Sequence, residues 1–178
     1  MRSIFVLIFL ALLTGISFAQ TGKGYVVTYE NDTLRGFVDY INSDGAFRSA
    51  VKLTYTSDKG KDKTSKYSAF KIKSFKCGDD FIEAINWEFA KKEIEGEMYL
   101  YSRLEMEYFE GDSWLALNYF FRRKDETHLQ PANVVFNSKL YKYFKDNPEL
   151  VRKLKEKEIF KNDPITMVKF YNKTHKTE

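Results

Sequence analysis

The stretch 97-EMYLYSRLEMEYF-109 decides the fold. Its even positions are Met98, Leu100, Ser102, Leu104, Met106 and Tyr108. Its odd positions are Tyr99, Tyr101, Arg103, Glu105, Glu107 and Phe109. One face is apolar; the other carries aromatics at its ends and charges in its middle. Strict alternation over so long a run predicts a strand of an antiparallel sheet with one face in water. Glu110-Gly111-Asp112 reads as the following turn. Trp114 to Phe121 is apolar on both faces and predicts a central or helix-covered strand.

Upstream, Tyr25, Val27 and Tyr29 alternate with Val26, Thr28 and Glu30, and the pattern resumes at Leu34, Gly36, Val38 and Tyr40. A two-residue Asn31-Asp32 loop would pair Tyr29 with Leu34 on the buried face and set Gly36 opposite Val27. Asn42 to Gly45 reads as a turn, and Val51, Leu53 and Tyr55 as a third strand. Ser57 to Lys66 reads as a solvated lysine-rich loop and Tyr67 to Ile72 as a short helical turn. Strands follow over Ser74 to Cys77 and Asp80 to Trp87 around Gly78-Asp79, and Glu95-Gly96 separates Phe89–Ile94 from the long strand.

The last quarter changes period. Phe136, Leu140 and Phe144 are spaced for a helix. Asn147-Pro148 ahead of Leu150, Val151 and Leu154, and Asp163-Pro164 ahead of Ile165, Val168 and Tyr171, each place a cap before a proline at the first helical position. The expectation is therefore an α+β fold: an antiparallel meander of about seven strands, then three short C-terminal helices. It is one domain over residues 20–178, mainly β over 20–128 and helical over 133–173, behind a leader over 1–19.

That leader has the three parts of a secretory signal peptide. Arg2 precedes the apolar run Ile4 to Ile16, and Ser17-Phe18-Ala19 puts small residues at the −3 and −1 positions, so cleavage is expected before Gln20. The apolar run is shorter than the ~20 residues of a spanning helix, and no Cys follows it for lipidation. Export to the periplasm or beyond the cell is the expected localisation, with no transmembrane segment once the leader is removed. The mature chain would have 178 − 19 = 159 residues, enough for a proper core without disulfides. Its lone cysteine, Cys77, lies between Phe75 and Phe81 and is expected to be buried.

The 29 Lys and Arg against 25 Asp and Glu leave a net charge of only +4, too small for bulk binding to nucleic acid. The charge is nonetheless in blocks. Residues 52–76 carry eight Lys against two Asp, 77–114 eleven acids against three cations, and 115–178 fourteen cations against eight acids. These blocks can steer a partner.

Catalytic signatures are scarce. His128 and His175 lie far apart with no metal-ligand spacing, there is no G-x-S-x-G elbow, and Cys77 with His128 lacks a third orienting group. The nine glycines are scattered, so no phosphate loop forms, and neither Asp79-Asp80 nor Glu110-Gly111-Asp112 has the spacing of a calcium loop. No catalytic residue, metal or cofactor is therefore assigned. Carboxylates are the available chemistry: Asp79, Asp80, Glu83, Glu105, Glu107, Glu110 and Asp112 could supply an acid/base pair for a small hydrolase or lyase acting on glycans. The simpler reading makes Glu105 and Glu107 the wet face of the sheet.

Sixteen Phe, twelve Tyr and two Trp make 17% of the chain aromatic. Most must be core. Tyr99 and Tyr101, on the face opposite Met98 and Leu100, are the candidates for a ledge on which a sugar or peptide stacks, with Arg103, Glu105 and Glu107 beside them. The expectation is that at least one of the two tyrosines is exposed and not beneath the C-terminal helices.

The chain resembles a group of uncharacterised exported proteins from Bacteroidota. The residues behind this are the leader ending Ala19-Gln20, Asn31-Asp32-Thr33-Leu34-Arg35-Gly36, Tyr67-Ser68 ahead of Ile72, Glu95-Gly96 before Leu100-Tyr101, and the closing Tyr171-Asn172. The resemblance implies an envelope location and no known activity. The functional expectation is a non-enzymatic binding or scaffolding module whose partner is an envelope protein or glycan.

Overall fold

Three tight turns and a return connection arrange the strands. The computed structural model describes residues 19–41, 50–57, 59–133 and 137–175; the leader to Phe18, the Asn42–Gly45 turn and Phe136 lie outside them. The strands are β1 (Ala19–Thr28), β2 (Thr33–Ile41), β3 (Ala50–Thr56), β4 (Asp62–Tyr67), β5 (Ile72–Cys77), β6 (Asp80–Ile85), β7 (Glu88–Ile94), β8 (Met98–Phe109), β9 (Asp112–Arg123) and β10 (Gln130–Pro131). Helices α1 (Asn137–Tyr143), α2 (Pro148–Lys155) and α3 (Pro164–Thr174) follow. All ten strands form one antiparallel sheet in the order β10-β9-β8-β7-β6-β5-β1-β2-β3-β4. The first four strands form a meander, β5 returns beside β1, and a second meander runs on to β10.

The sheet has ten strands, not seven, because three segments join it. Lys-rich residues 62–67 pair with β3 as an edge strand and are not a loop, Phe89–Ile94 pairs as β7, and Gln130–Pro131 adds a short β10. An edge strand can be polar on both faces, so its composition resembles that of a loop. Residues 69–71 form a plain turn, not a helical one.

The first hairpin also differs. Val27 pairs with Thr33 and Val26 with Leu34, and Thr28 N–H donates to Asp32 O at 2.9 Å. The loop is the three residues Tyr29-Glu30-Asn31, with Asn31 left-handed at φ +71°, the usual end of a three-residue hairpin loop. The shift from the expected register is odd, so the faces exchange. Val26, Val38 and Tyr40 are buried, while Tyr29 is exposed at the turn, its hydroxyl donating to Ala69 O at 3.1 Å. Leu34 is half-buried against the core. Gly36 faces Gly24, where a Cβ would sit 2.3 Å from Thr54 O and 1.8 Å from Lys76 O respectively. That approach of backbones lets the sheet curl.

One continuous face of the sheet holds two apolar clusters. In the curl, Val26, Val38, Val51, Leu53, Ile72, Phe75, Cys77, Ile82 and Phe89 pack together, with Cys77 buried. Farther along, the helices cover Met98, Leu100 and Phe121 with Leu140, Phe144, Leu150, Leu154, Met167, Val168 and Tyr171. The caps form as the sequence predicts: Asn147 Oδ1 accepts from Leu150 N–H and Asp163 Oδ1 from Thr166 N–H, each at 3.0 Å. On α3 the buried stripe is Met167, Val168 and Tyr171; Ile165 is exposed. Among the described residues, no helix is long and apolar enough to cross a membrane.

Candidate functional site

The helices cover the even face of β8 at Met98 and Leu100, and the odd face lies on the other side of the sheet. Lys92 pairs with Tyr101, Tyr101 with Phe120, and Arg103 with Asn118, so these residues line up across neighbouring strands. Tyr99 and Tyr101 therefore lie away from the helices, as expected of them, but they do not form an open ledge. Tyr101 is fully buried and Tyr99 half-buried. Ile85, Ala90, Tyr101 and Phe120 make a small third core, closed by Tyr99 and by Leu129 from the connection after β9. The covering is thus supplied by a loop and by strand neighbours, neither of which is visible in the alternation of β8.

Above that core lies an ionic network. Tyr101 O–H donates to Glu83 Oε2 at 2.7 Å, and Arg122 Nη2 donates to the same oxygen at 3.0 Å and to the Tyr101 hydroxyl at 2.5 Å. Lys92 Nζ holds Glu83 Oε1 at 2.9 Å. Burial pushes the Glu83 carboxyl up, but the Lys92 ammonium, the Tyr101 hydroxyl and Arg122 outweigh it and hold the pKa below its ordinary value. Burial, and then the Glu83 charge, push the Tyr101 hydroxyl well above its ordinary pKa. The cations also sit on rings: Lys92 lies 5.1 Å from the Tyr99 centroid and 4.7 Å from Phe81, and Arg122 lies 4.9 Å from Tyr101. Beside Lys92 and Phe81 is an open hollow of about 440 Å³.

Farther along the strand, Arg103 is clamped by Glu88 and Glu105 and lies 4.7 Å from the Phe120 centroid. Asn118 Nδ2 donates to Glu105 Oε2 at 2.7 Å and to Glu107 Oε1 at 3.2 Å. The structure thus brings Arg103, Glu105 and Glu107 into one chain of polar contacts and Tyr99 and Tyr101 into another. In both, the carboxylates accept from cations or amides. Glu83 holds Lys92 and Arg122, Glu105 holds Arg103 and accepts from Asn118, and Glu107 accepts from Asn118. Among the described residues, no group of three or more His, Cys, Asp or Glu could hold a metal ion. His128 Nδ1 meets Asn86 Oδ1 at 3.0 Å, while His175 stacks on Tyr171.

Reading Trp114 to Phe121 as a central or helix-covered strand missed a run of exposed apolar side chains. β7 pairs with β8 only as far as Ser102, and β10 pairs with β9 only at Phe120 and Phe121. Residues 103–118 therefore form a two-stranded arm that turns at Glu110-Gly111, both left-handed. On the arm Tyr108 is 74% exposed, Phe109 63%, Trp114 46%, Leu115 48% and Leu117 51%. A run apolar on both faces carries the same pattern whether neighbouring elements or a partner bury it, so periodicity could not separate the two. A second concavity, about 760 Å³, lies between α1 and the end of β9 and is lined by Phe121, Arg123, Glu126, Leu140, Lys142 and Tyr143. No family model, curated protein or solved structure matches the chain.

Proposed function

We propose that the protein is a non-enzymatic exported module that binds or scaffolds at the cell envelope, in keeping with the exported Bacteroidota proteins it resembles. The observation that carries this reading is the arm. A two-stranded ribbon has no core of its own, and large apolar side chains are exposed on both of its faces, Phe109 and Trp114 on one and Tyr108, Leu115 and Leu117 on the other. Exposed apolar surface of this kind, rimmed by charge, is the usual mark of an interaction site. On the odd face Glu83 is tied to Lys92, Arg122 and Tyr101, and its lowered pKa does not suit it to the protonated-acid role of a glycan hydrolase.

The test is expression of the full chain with a C-terminal tag in a Bacteroidota host, followed by fractionation. The expected result is an envelope-fraction protein beginning at Gln20 whose retention there falls when Trp114→Ala and Leu117→Ala are combined. A cytoplasmic protein that keeps Met1, or a doubly substituted arm retained as strongly as the wild type, overturns the proposal.

A further inference from the structure

The two edges of the sheet are built differently. β4 carries exposed Lys63 and Lys66, with exposed Lys61 at its start, the kind of guard that stops another strand from adding. The β9 edge has no such guard. From Ser113 to Phe121 it holds no charged residue, and among the described residues no strand pairs with its outer side before Phe120. Ala132 N–H donates to Tyr119 O at 2.8 Å, so the odd residues of β9 point their backbone groups outward. By strand alternation Ser113, Leu115 and Leu117 therefore offer their N–H and C=O groups at this edge.

We propose that this edge pairs antiparallel with the same edge of a second copy, about a two-fold axis through Leu115. The proposal rests on the reading of the arm as a binding surface and names its partner. The open window, residues 112–118, has Leu115 at its centre, so a two-fold axis there uses the whole window and ends where Ala132 and β10 close it. In that register Leu115 faces Leu115 of the other copy, with Leu117 of each copy beside them. Trp114 faces Ala116, whose small side chain leaves room for the indole. Asp112 faces Asn118, and Ser113 faces Leu117. The three outward residues of each copy exchange backbone hydrogen bonds.

Charge selects this edge over the other side of the arm. Self-pairing along β8 would bring Glu105 and Glu107 against their own copies, a destabilising juxtaposition. Pairing through β9 separates the two β8 strands by three strand spacings, roughly 14 Å, beyond the ~10 Å over which surface charges act in ordinary salt. The assembly closes at two copies, because a two-fold axis uses the same edge of both.

The mature wild-type chain, measured by light scattering at about 100 µM, a concentration that captures weak dimers, is expected to show twice the mass of one chain. Leu115→Lys and Leu115→Glu should each be monomeric, at least about tenfold weaker in self-association, and an equimolar mixture of the two should recover the doubled mass. Leu115 is half-exposed in the single chain, and an unchanged circular dichroism spectrum and melt show that each variant folds. Under mild oxidation Leu115→Cys should cross-link between copies, since facing hydrogen-bonded residues stand about 5.5 Å apart. Ser113→Cys, roughly 14 Å from its own copy in this register, should cross-link at least about tenfold more slowly.

A monomeric wild type, a Leu115→Lys variant as dimeric as the wild type, an open-ended assembly, or equal cross-linking of the two cysteine variants each overturns the self-pairing. A monomer that sediments with phosphatidylethanolamine–phosphatidylglycerol vesicles through Trp114 would assign the arm to lipid, and overturns it too. None of these outcomes touches the envelope-retention test, so the binding reading and the dimer fail separately.

Discussion

Asn172 on α3 should be the residue that locks the helices to the sheet. Its side chain grips the backbone of Met98 at the start of β8: Oδ1 accepts from Met98 N–H and Nδ2 donates to Met98 O, both at 2.8 Å. Met98 itself is fully buried, so without that amide two backbone groups lose their partners in a place water reaches poorly. An unsatisfied buried backbone group costs about 1–3 kcal/mol. Both bonds are only partly buried, so water recovers some of that loss; Asn172→Ala should cost about 2–4 kcal/mol, a large part of the 5–15 kcal/mol that holds a typical domain together. For a chain of this size each kcal/mol lowers the melting temperature by about 2–4 °C, so the expected drop is roughly 4–16 °C.

Gly96 supplies the control. A Cβ there would lie 2.3 Å from Asn172 Nδ2 and 2.4 Å from Cγ, so Gly96→Ala should also destabilise by displacing the amide. The two changes share one contact and should not add: the double variant should be more stable than the summed losses imply by at least about 0.5 kcal/mol. Urea unfolding followed by circular dichroism measures all three. An Asn172→Ala variant that melts within 1 °C of wild type (about 0.3 kcal/mol on the same scale), or strictly additive losses, would refute the clamp.

Other outcomes follow from the ionic network and the core. Because the folded-state pKa of Glu83 is depressed, its stabilisation is present above the ordinary carboxyl pKa and is lost as pH falls through the folded value; melting from pH 7 to pH 3 should show a steeper acid decline in wild type than in Glu83→Gln. Tyr101→Phe removes a hydroxyl that donates to Glu83 and accepts from Arg122, and a loss of about 1–3 kcal/mol is expected in denaturant titration. Cys77 is buried, and burial first, then the charges of Asp80 and Asp39, push its thiol pKa up. A thiol reagent at pH 8 should therefore label it at least about a hundredfold faster in 6 M guanidinium than in the native protein.

The sequence by itself was enough for elements whose signals are local. Long alternation over Met98–Phe109 specified β8 and its two faces, and the Asn147-Pro148 and Asp163-Pro164 pairs located two helix starts, because a cap and a fixed φ act within one turn of chain. Burial of Cys77 beside Phe75 was likewise legible locally, although Phe81 turned out to lie on the other face, beside Lys92. Tertiary structure decided whatever depends on which strand lies next to which. The first hairpin has a three-residue loop that ends on a left-handed Asn31, not the two-residue Asn31-Asp32 loop that the composition suggests. The lysine-rich run became a strand because β3 offered it a ladder. Tyr101 was buried by Leu129, Phe120, Ile85 and Ala90 from four other parts of the chain, and so left the set of exposed site residues. Trp114–Phe121 had the composition of a central strand, but only the sheet order places it where β10 is too short to cover it. Apolar periodicity records that a face must leave water, and the arrangement of the strands determines whether this chain or a second one takes it out.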